Sequence, residues 1–217
     1  MPEVFTKLLP MVIGLLVSPI PVVALLIMLM TNQARQNGLA LIAGWLSGIT
    51  GVGLLVVSFP FLGKIESDNV ALASLIRTGI GAILITWAAY KVFTRYHNRN
   101  SRTPKFFSKL DQLKPRAVFG VGILVSAGNI KNLGFSAAAA IVLNQTVDNL
   151  VHKLGYLVAY SLVGSLTLFI PMVLYLVLRH QADPILQRWK IWLISYHDYI
   201  LAGVVVFIGV MIISGGH

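Results

Sequence analysis

The sequence predicts an all-α integral membrane protein of six transmembrane helices, built as a 3+3 inverted repeat with both termini on the outer side. Three observations predict it. Of the 217 residues, 57% are hydrophobic and 11% are charged, where a soluble domain carries about 25% charged residues. Six apolar runs follow one another, and the basic residues between them are dense in alternate loops.

The runs are residues 8–31, 39–62, 72–90, 117–143 with one interruption, 154–178 and 199–213. Five of them reach the ~18 to 20 residues that cross about 30 Å of hydrocarbon, and the polar-aromatic stretch before the last completes the sixth. A membrane barrel would show ten-residue segments of alternating polarity, which do not occur here. The first run is expected to stay as a membrane helix rather than be cleaved. It exceeds a signal h-region, carries Pro19 and Pro21 in its middle and lacks a small-x-small site. There is no cysteine, which excludes disulfide scaffolds, thiol redox relays and thiolate metal sites.

Charge assigns the sides. With the N-terminus outside, the inner loops hold twelve basic residues: Arg35, then Lys91, Arg95, Arg99, Arg102, Lys105, Lys109, Lys114 and Arg116, then Arg179, Arg188 and Lys190. The outer side holds four, Lys7, Lys64, Arg77 and Lys153. The positive-inside rule then puts both termini outside, in the periplasm or its equivalent, and the expected location is a bacterial cytoplasmic (inner) membrane, as a multi-pass protein. The net charge of +10 follows this sidedness rather than a cluster with stacking aromatics, so no nucleic-acid partner is expected. Trp87 and Tyr90, and Trp189, Trp192, Tyr196 and Tyr199, fall at the inner interface as aromatic belts.

One long basic connection divides the runs three and three, giving a first half at 1–94, a linker at 95–116 and a second half at 117–217. Thr103-Pro104 reads as an N-cap and first helical residue, and Phe106, Phe107, Leu110 and Leu113 make one apolar face. This is the pattern of a short helix on the membrane surface, its lysines toward lipid headgroups; a solvated linker is the alternative. Leu16-Val17-Ser18 in the first span recurs as Leu124-Val125-Ser126 in the fourth. Spans 2 and 5 each open near a Gly/Leu pair, Gly38-Leu39 and Leu154-Gly155, and carry small residues at Gly44, Ser47, Gly48 and Ser161, Gly164, Ser165. An odd number of spans per half inverts the second half, an arrangement in which transport sites lie at the repeat interface, mid-membrane.

Two segments carry the candidate chemistry. Pro19 and Pro21 each remove a backbone donor, so carbonyls around Leu15 to Val17 lose their helical partners, and Ser18 adds a hydroxyl beside the break. In the fourth span, Ser126, Asn129, Lys131 and Asn132 interrupt the hydrophobic run, with Gly128 as the unwinding point. A central lysine costs about 2.5–3.5 kcal/mol on insertion scales, so Lys131 must face protein or water. Asn129 and Asn132, three apart, are expected to share a helix face. The substrate site is therefore Ser18, Pro19, Pro21, Ser126, Asn129, Lys131 and Asn132. No carboxylate lies in mid-span, which argues against exchange of hard cations and for an anionic or zwitterionic group held by Lys131. A lysine kept from water is also a candidate proton carrier, so proton coupling is an open expectation. Arg77 and Asp198 are secondary candidates that read first as interfacial anchors.

Gly44-x-x-x-Gly48 and Ser47-x-x-x-Gly51 form a small-residue stripe for close helix approach, within the fold or across a homodimer. The five histidines show no ligand spacing and no nucleophile-base-orienter set appears, so neither an enzyme nor a metal or other cofactor is expected.

Ser18-Pro19-Ile20-Pro21, Ala34-Arg35-Gln36-Asn37-Gly38-Leu39-Ala40, Gly44-Trp45, Pro104-Lys105 and Ser126-Ala127-Gly128-Asn129-Ile130-Lys131-Asn132 occur in an order and spacing that resembles the GAP/Sap-type family, the glycopeptidolipid- or sulfolipid-addressing proteins of the lysine exporter (LysE) superfamily. The resemblance spans nearly the whole chain. It implies six helices in a three-plus-three inverted repeat and a role in moving lipids or small molecules outward. The family commonly reads Asn-Pro-Lys-Asn where this chain has Asn129-Ile130-Lys131-Asn132, so here the break must rest on Gly128 and Asn129. The expected function is a secondary transporter, an exporter of a lipid, glycolipid or other amphipathic or anionic small molecule, working by alternating access between spans 1 and 4. The alternatives are an amino-acid exporter, or a non-transporting scaffold subunit for lipid export.

Overall fold

A computed structural model describes residues 2–59, 86 and 113–214. The described residues form eight α-helices and no strand: α1 (Pro2–Leu16), α2 (Pro19–Leu29), α3 (Ala34–Val57), α4 (Pro115–Ala127), α5 (Ile130–Thr146), α6 (Leu150–Gly164), α7 (Leu166–Leu178) and, after a 3-10 turn at Arg179–Ala182, α8 (Asp183–Ser214). Among the described residues only α3 is long and apolar enough to cross a membrane unaided. Three pairs pass the same test together, each bent at a short break: α1 with α2 by 49°, α4 with α5 by 69° and α6 with α7 by 58°. These are the apolar helices of a membrane protein, with one to four candidate spans. The expected third span apart from residue 86, the linker up to residue 112, Arg77, Trp87 and Tyr90 lie outside the described residues. The sixth run is helical within the 32-residue α8.

The first run is broken where its prolines predict, and the fifth is broken where no break was expected. The first starts earlier, at Pro2, and breaks at Val17 and Ser18 because Ser18 precedes a proline. The ring of Pro19 forbids the α region to its predecessor, and Ser18 is extended at φ −122°, ψ 96° with Pro19 restarting the chain as the first residue of α2. The fifth run breaks at Ser165. Local chemistry sets the other starts. Pro115 opens α4 after an extended Lys114, and the side chain of Asn149 caps α6 by accepting from the amides of Val151 and His152, as an N-cap asparagine does. Arg179 ends α7 at φ 47°, turning the chain sharply toward α8.

Neighbours fix the directions. Along α3, Gly38, Trp45, Thr50 and Gly53 meet Met172, Ser165, Ser161 and Leu157 in turn, so α6 and α7 run antiparallel to α3. Asn37, Gly44 and Gly48 meet Leu113, Phe119 and Ser126, so α4 runs parallel to it. The chain thus leaves α3 at one end of the bundle and enters α4 at the other. The α3/α4 seam is backbone-close: a Cβ on Gly44 would strike the Phe119 carbonyl, and one on Gly122 the Leu41 carbonyl. Half of the predicted small stripe, Gly44 and Gly48, therefore packs within the fold. Ser47 is exposed, and a Cβ on Gly51 would meet nothing within 4 Å. At the centre is α2, buried at nine of its eleven positions and packed against α3, α7 and α8. A helix apolar all round belongs in such an interior.

Candidate functional site

The three breaks converge on the middle of α3. Trp45 Nε1 donates to Ser165 Oγ at 2.9 Å, Gly48 lies against Ser126 near the end of α4, and Gly164 packs on Leu15 beside the first break. The N-terminal ends of α2, α5 and α7 all lie at this level, as do the C-terminal ends of α1, α4 and α6. Each N-terminus carries partial positive charge and each C-terminus partial negative charge.

Lys131 joins two of the breaks. Its Nζ donates to the Gly14 carbonyl at 2.7 Å and to the Val17 carbonyl at 3.1 Å. Within a continuous helix these oxygens would accept from the amides of Ser18 and Pro21. Ser18 has left helical geometry, and Pro21 has no N–H to give. The lysine of α5 therefore supplies the donors that the proline break removed, and caps the C-terminal end of α1 with a cation. An ammonium has three donors, so one remains for a further acceptor. Phe135, one turn along α5, stands with its ring centroid 5.8 Å from Nζ and its edge where a Cβ on Gly14 would lie. The bare glycine leaves the ring this space and so lets α5 approach α1 closely. No described residue gives Lys131 an ion pair.

The second break is held by its own side chains. Asn129 is the N-cap of α5 at φ −90°, ψ 113°, with Oδ1 accepting from the Lys131 amide at 3.0 Å. Asn132 Nδ2 donates to the Val125 carbonyl at 3.3 Å, leaving Oδ1 buried with no described partner. Both carboxamides hold the α4/α5 junction. Ser126 is buried too, donating to the carbonyls of Gly122 and Ile123. Gly128 keeps right-handed helical geometry at φ −77°, ψ −10°, so the unwinding falls one residue later, at Asn129. Ile130 occupies the first helical position of α5, 88% exposed. Proline is favoured at that position but not required there, and the cap forms without it.

The structure thus brings Ser18, Pro19, Pro21, Ser126, Asn129, Lys131 and Asn132 to one level. The repeated Leu-Val-Ser is not equivalent in the two breaks: Ser18 is itself an N-cap, whereas Ser126 lies three residues before the N-cap Asn129. Asp198 lies in α8, far along the chain from any break, and Arg77 is outside the described residues. Sequence reasoning missed the third break and its holder. Ser165 Oγ donates to the Ser161 carbonyl at 2.6 Å while accepting from Trp45, and Thr50 Oγ1 donates to Ser161 Oγ at 3.0 Å. The pairing of Trp45 with a serine 120 residues away has no local signal.

A family model described as Sap, sulfolipid-1-addressing protein, matches residues 8–217. The chain belongs to that family. No curated protein and no solved structure matches the chain.

Proposed function

We propose that this protein moves an anionic amphiphile across a bacterial cytoplasmic membrane as a secondary transporter, with Lys131 as the group that engages the anionic head. The name of its family points to a role in lipid export or localisation. The single observation that carries the finer reading is the Lys131 ammonium bound to the two carbonyls left open by the α1/α2 break. An anionic head at this level meets one spare ammonium donor and helix N-terminal ends, and no described carboxylate repels it.

The same geometry offers a cycle. A headgroup that draws the ammonium away competes directly with the Gly14 and Val17 carbonyls, because one Nζ serves both. Cargo binding then loosens α1 from α5, and cargo release restores the cap. Spans that correspond between halves run in opposite directions here, and an odd number of crossings between α3 and α4 completes the proposed 3+3 inverted repeat. Rocking of one half against the other supplies alternating access, with both termini outside, membrane lipids as surroundings and proton coupling through Lys131 as part of the proposal. No chemistry is performed on the cargo.

The test is transport by the wild-type protein in proteoliposomes, comparing a fluorescent amphiphile with an anionic head and one with a zwitterionic head. Faster movement of the anionic probe than in protein-free vesicles is expected. Equal rates with and without protein for both probes would rule the proposal out.

A further inference from the structure

Among the described side chains of α8, seven large apolar ones are exposed, and six of them fall on one line: Ile185, Trp189, Trp192, Tyr196, Tyr199 and Val206. They stand alternately four and three residues apart, with Gly203 filling the one gap in the series. Ile191 alone lies off the line. This is the a/d spacing of a helix-pairing seam, kept over three heptads. The ring centroids of Trp192 and Tyr196 are 5.5 Å apart and those of Tyr196 and Tyr199 6.4 Å, so its middle is a continuous aromatic ladder. A Cβ on Gly203 would meet nothing within 4 Å. To one side of the line Leu186 is buried and Leu193 packs on the core; to the other, Gln187, Arg188 and Ser195 are exposed. The seam is therefore a third face of α8, apart from the one the fold covers and from the polar one.

An aromatic belt does not account for it. From Trp189 to Tyr199 the helix rises ~15 Å, about twice the ~5–7 Å headgroup layer on each side of the hydrocarbon. We propose that a second copy of this chain docks here, α8 against α8, in a parallel two-fold pair. A seam of 3.5-residue repeat fits a helix of the same repeat, and a second α8 supplies one. Two copies with the same orientation in one membrane run parallel, which sets identical residues opposite each other at every level of the seam, as a two-fold contact requires. No charge lies on the line, and Gly203 lets the backbones approach. About half of four aromatic side chains of ~150–250 Å² each, with Ile185 and Val206, puts about 1,000 Å² within reach of the pair, the area a specific interface needs. The seam uses no residue of the three breaks and stands on the fold alone, independent of the transport proposal.

The test uses the full chain in lipid bilayers, where its lack of cysteine makes each introduced thiol unique. Trp189→Cys, Trp192→Cys, Tyr196→Cys and Tyr199→Cys should each give a disulfide-linked dimer on mild oxidation at low protein-to-lipid ratio, and Gln187→Cys and Ile191→Cys should not. Single-molecule photobleaching of the labelled wild-type chain should count two copies per spot. Trp192→Ala combined with Tyr196→Ala should raise the protein-to-lipid ratio for half-dimerisation at least about tenfold. Both side chains are about half exposed in the single chain, so their loss costs the fold little. Single copies at every ratio, the result if lipid or a helix of another protein covers the seam, would overturn the inference. So would equal cross-linking on and off the line, or dimers that the double variant leaves unchanged.

Discussion

Gly14→Ala probes the contact on which the Lys131 cap depends. The added Cβ is directed into the edge of the Phe135 ring, at Cε2 and Cζ, with Cδ2 at 2.9 Å. The ring stands one turn along α5 from Lys131, with its centroid 5.8 Å from Nζ, so a displacement of α5 that relieves the clash would also shift the ammonium from the Gly14 and Val17 carbonyls. Overpacking of this kind costs about 1–3 kcal/mol. If the shift also breaks both bonds to the charged Nζ, each contributes a further loss of about 1.5–3 kcal/mol. In the Phe135→Ala background the space is vacant, and alanine in place of glycine inside a helix gains up to about 1 kcal/mol. The expected outcome is a reversal of sign. Gly14→Ala should lower the apparent Tm by at least about 2–4 °C with Phe135 present, and leave it equal or higher with Ala at position 135. Thermal unfolding of the four proteins in one detergent reads this directly. The same loss in both backgrounds would refute the coupling of Gly14, Phe135 and Lys131.

Two other contacts give sharp expectations. Gly44→Ala should destabilise by about 1–3 kcal/mol, because its Cβ meets the backbone carbonyl of Phe119, which cannot rotate aside; Gly51→Ala, which meets nothing within 4 Å, should be neutral or slightly stabilising in the same unfolding assay. Trp45→Phe and Ser165→Ala each remove the 2.9 Å indole bond that holds the third break, at about 1 kcal/mol. A double-mutant cycle by thermal unfolding should show them to be non-additive, and full additivity would show that the bond contributes nothing.

The sequence and the structure agree where the cause is local. Pro19 and Pro21 dictate a break from two residues alone, and the carbonyls they orphan were expected around Leu15 to Val17, close to the Gly14 and Val17 oxygens that Lys131 takes. That a mid-run lysine must find protein acceptors also follows from burial cost alone. What was not legible depends on partners far away in the chain. The α6/α7 break has no proline at it, and Pro171, which ordinarily marks a bend, sits inside α7 instead. The bend lies where Ser165 bonds Trp45 and Ser161. The cap made by Asn129 has only a generic local signal, since asparagine is one of several favoured N-cap residues. The matched Leu-Val-Ser suggested equivalence of the two breaks, but three residues of register separate them. Similarity of letters in apolar sequence follows composition, whereas the breaks follow hydrogen-bond supply.

The Lys131→Met variant bears most directly on the proposed role. It loses two bonds of about 1.5–3 kcal/mol each and is relieved of the ~2.5–3.5 kcal/mol cost of a charge in mid-membrane. Movement of the anionic fluorescent amphiphile should then be measured in proteoliposomes containing equal amounts of folded wild-type and Lys131→Met protein. A fall to the rate of protein-free vesicles is predicted for the variant, and movement at the wild-type rate would contradict the assignment of Lys131 as the group that engages the cargo.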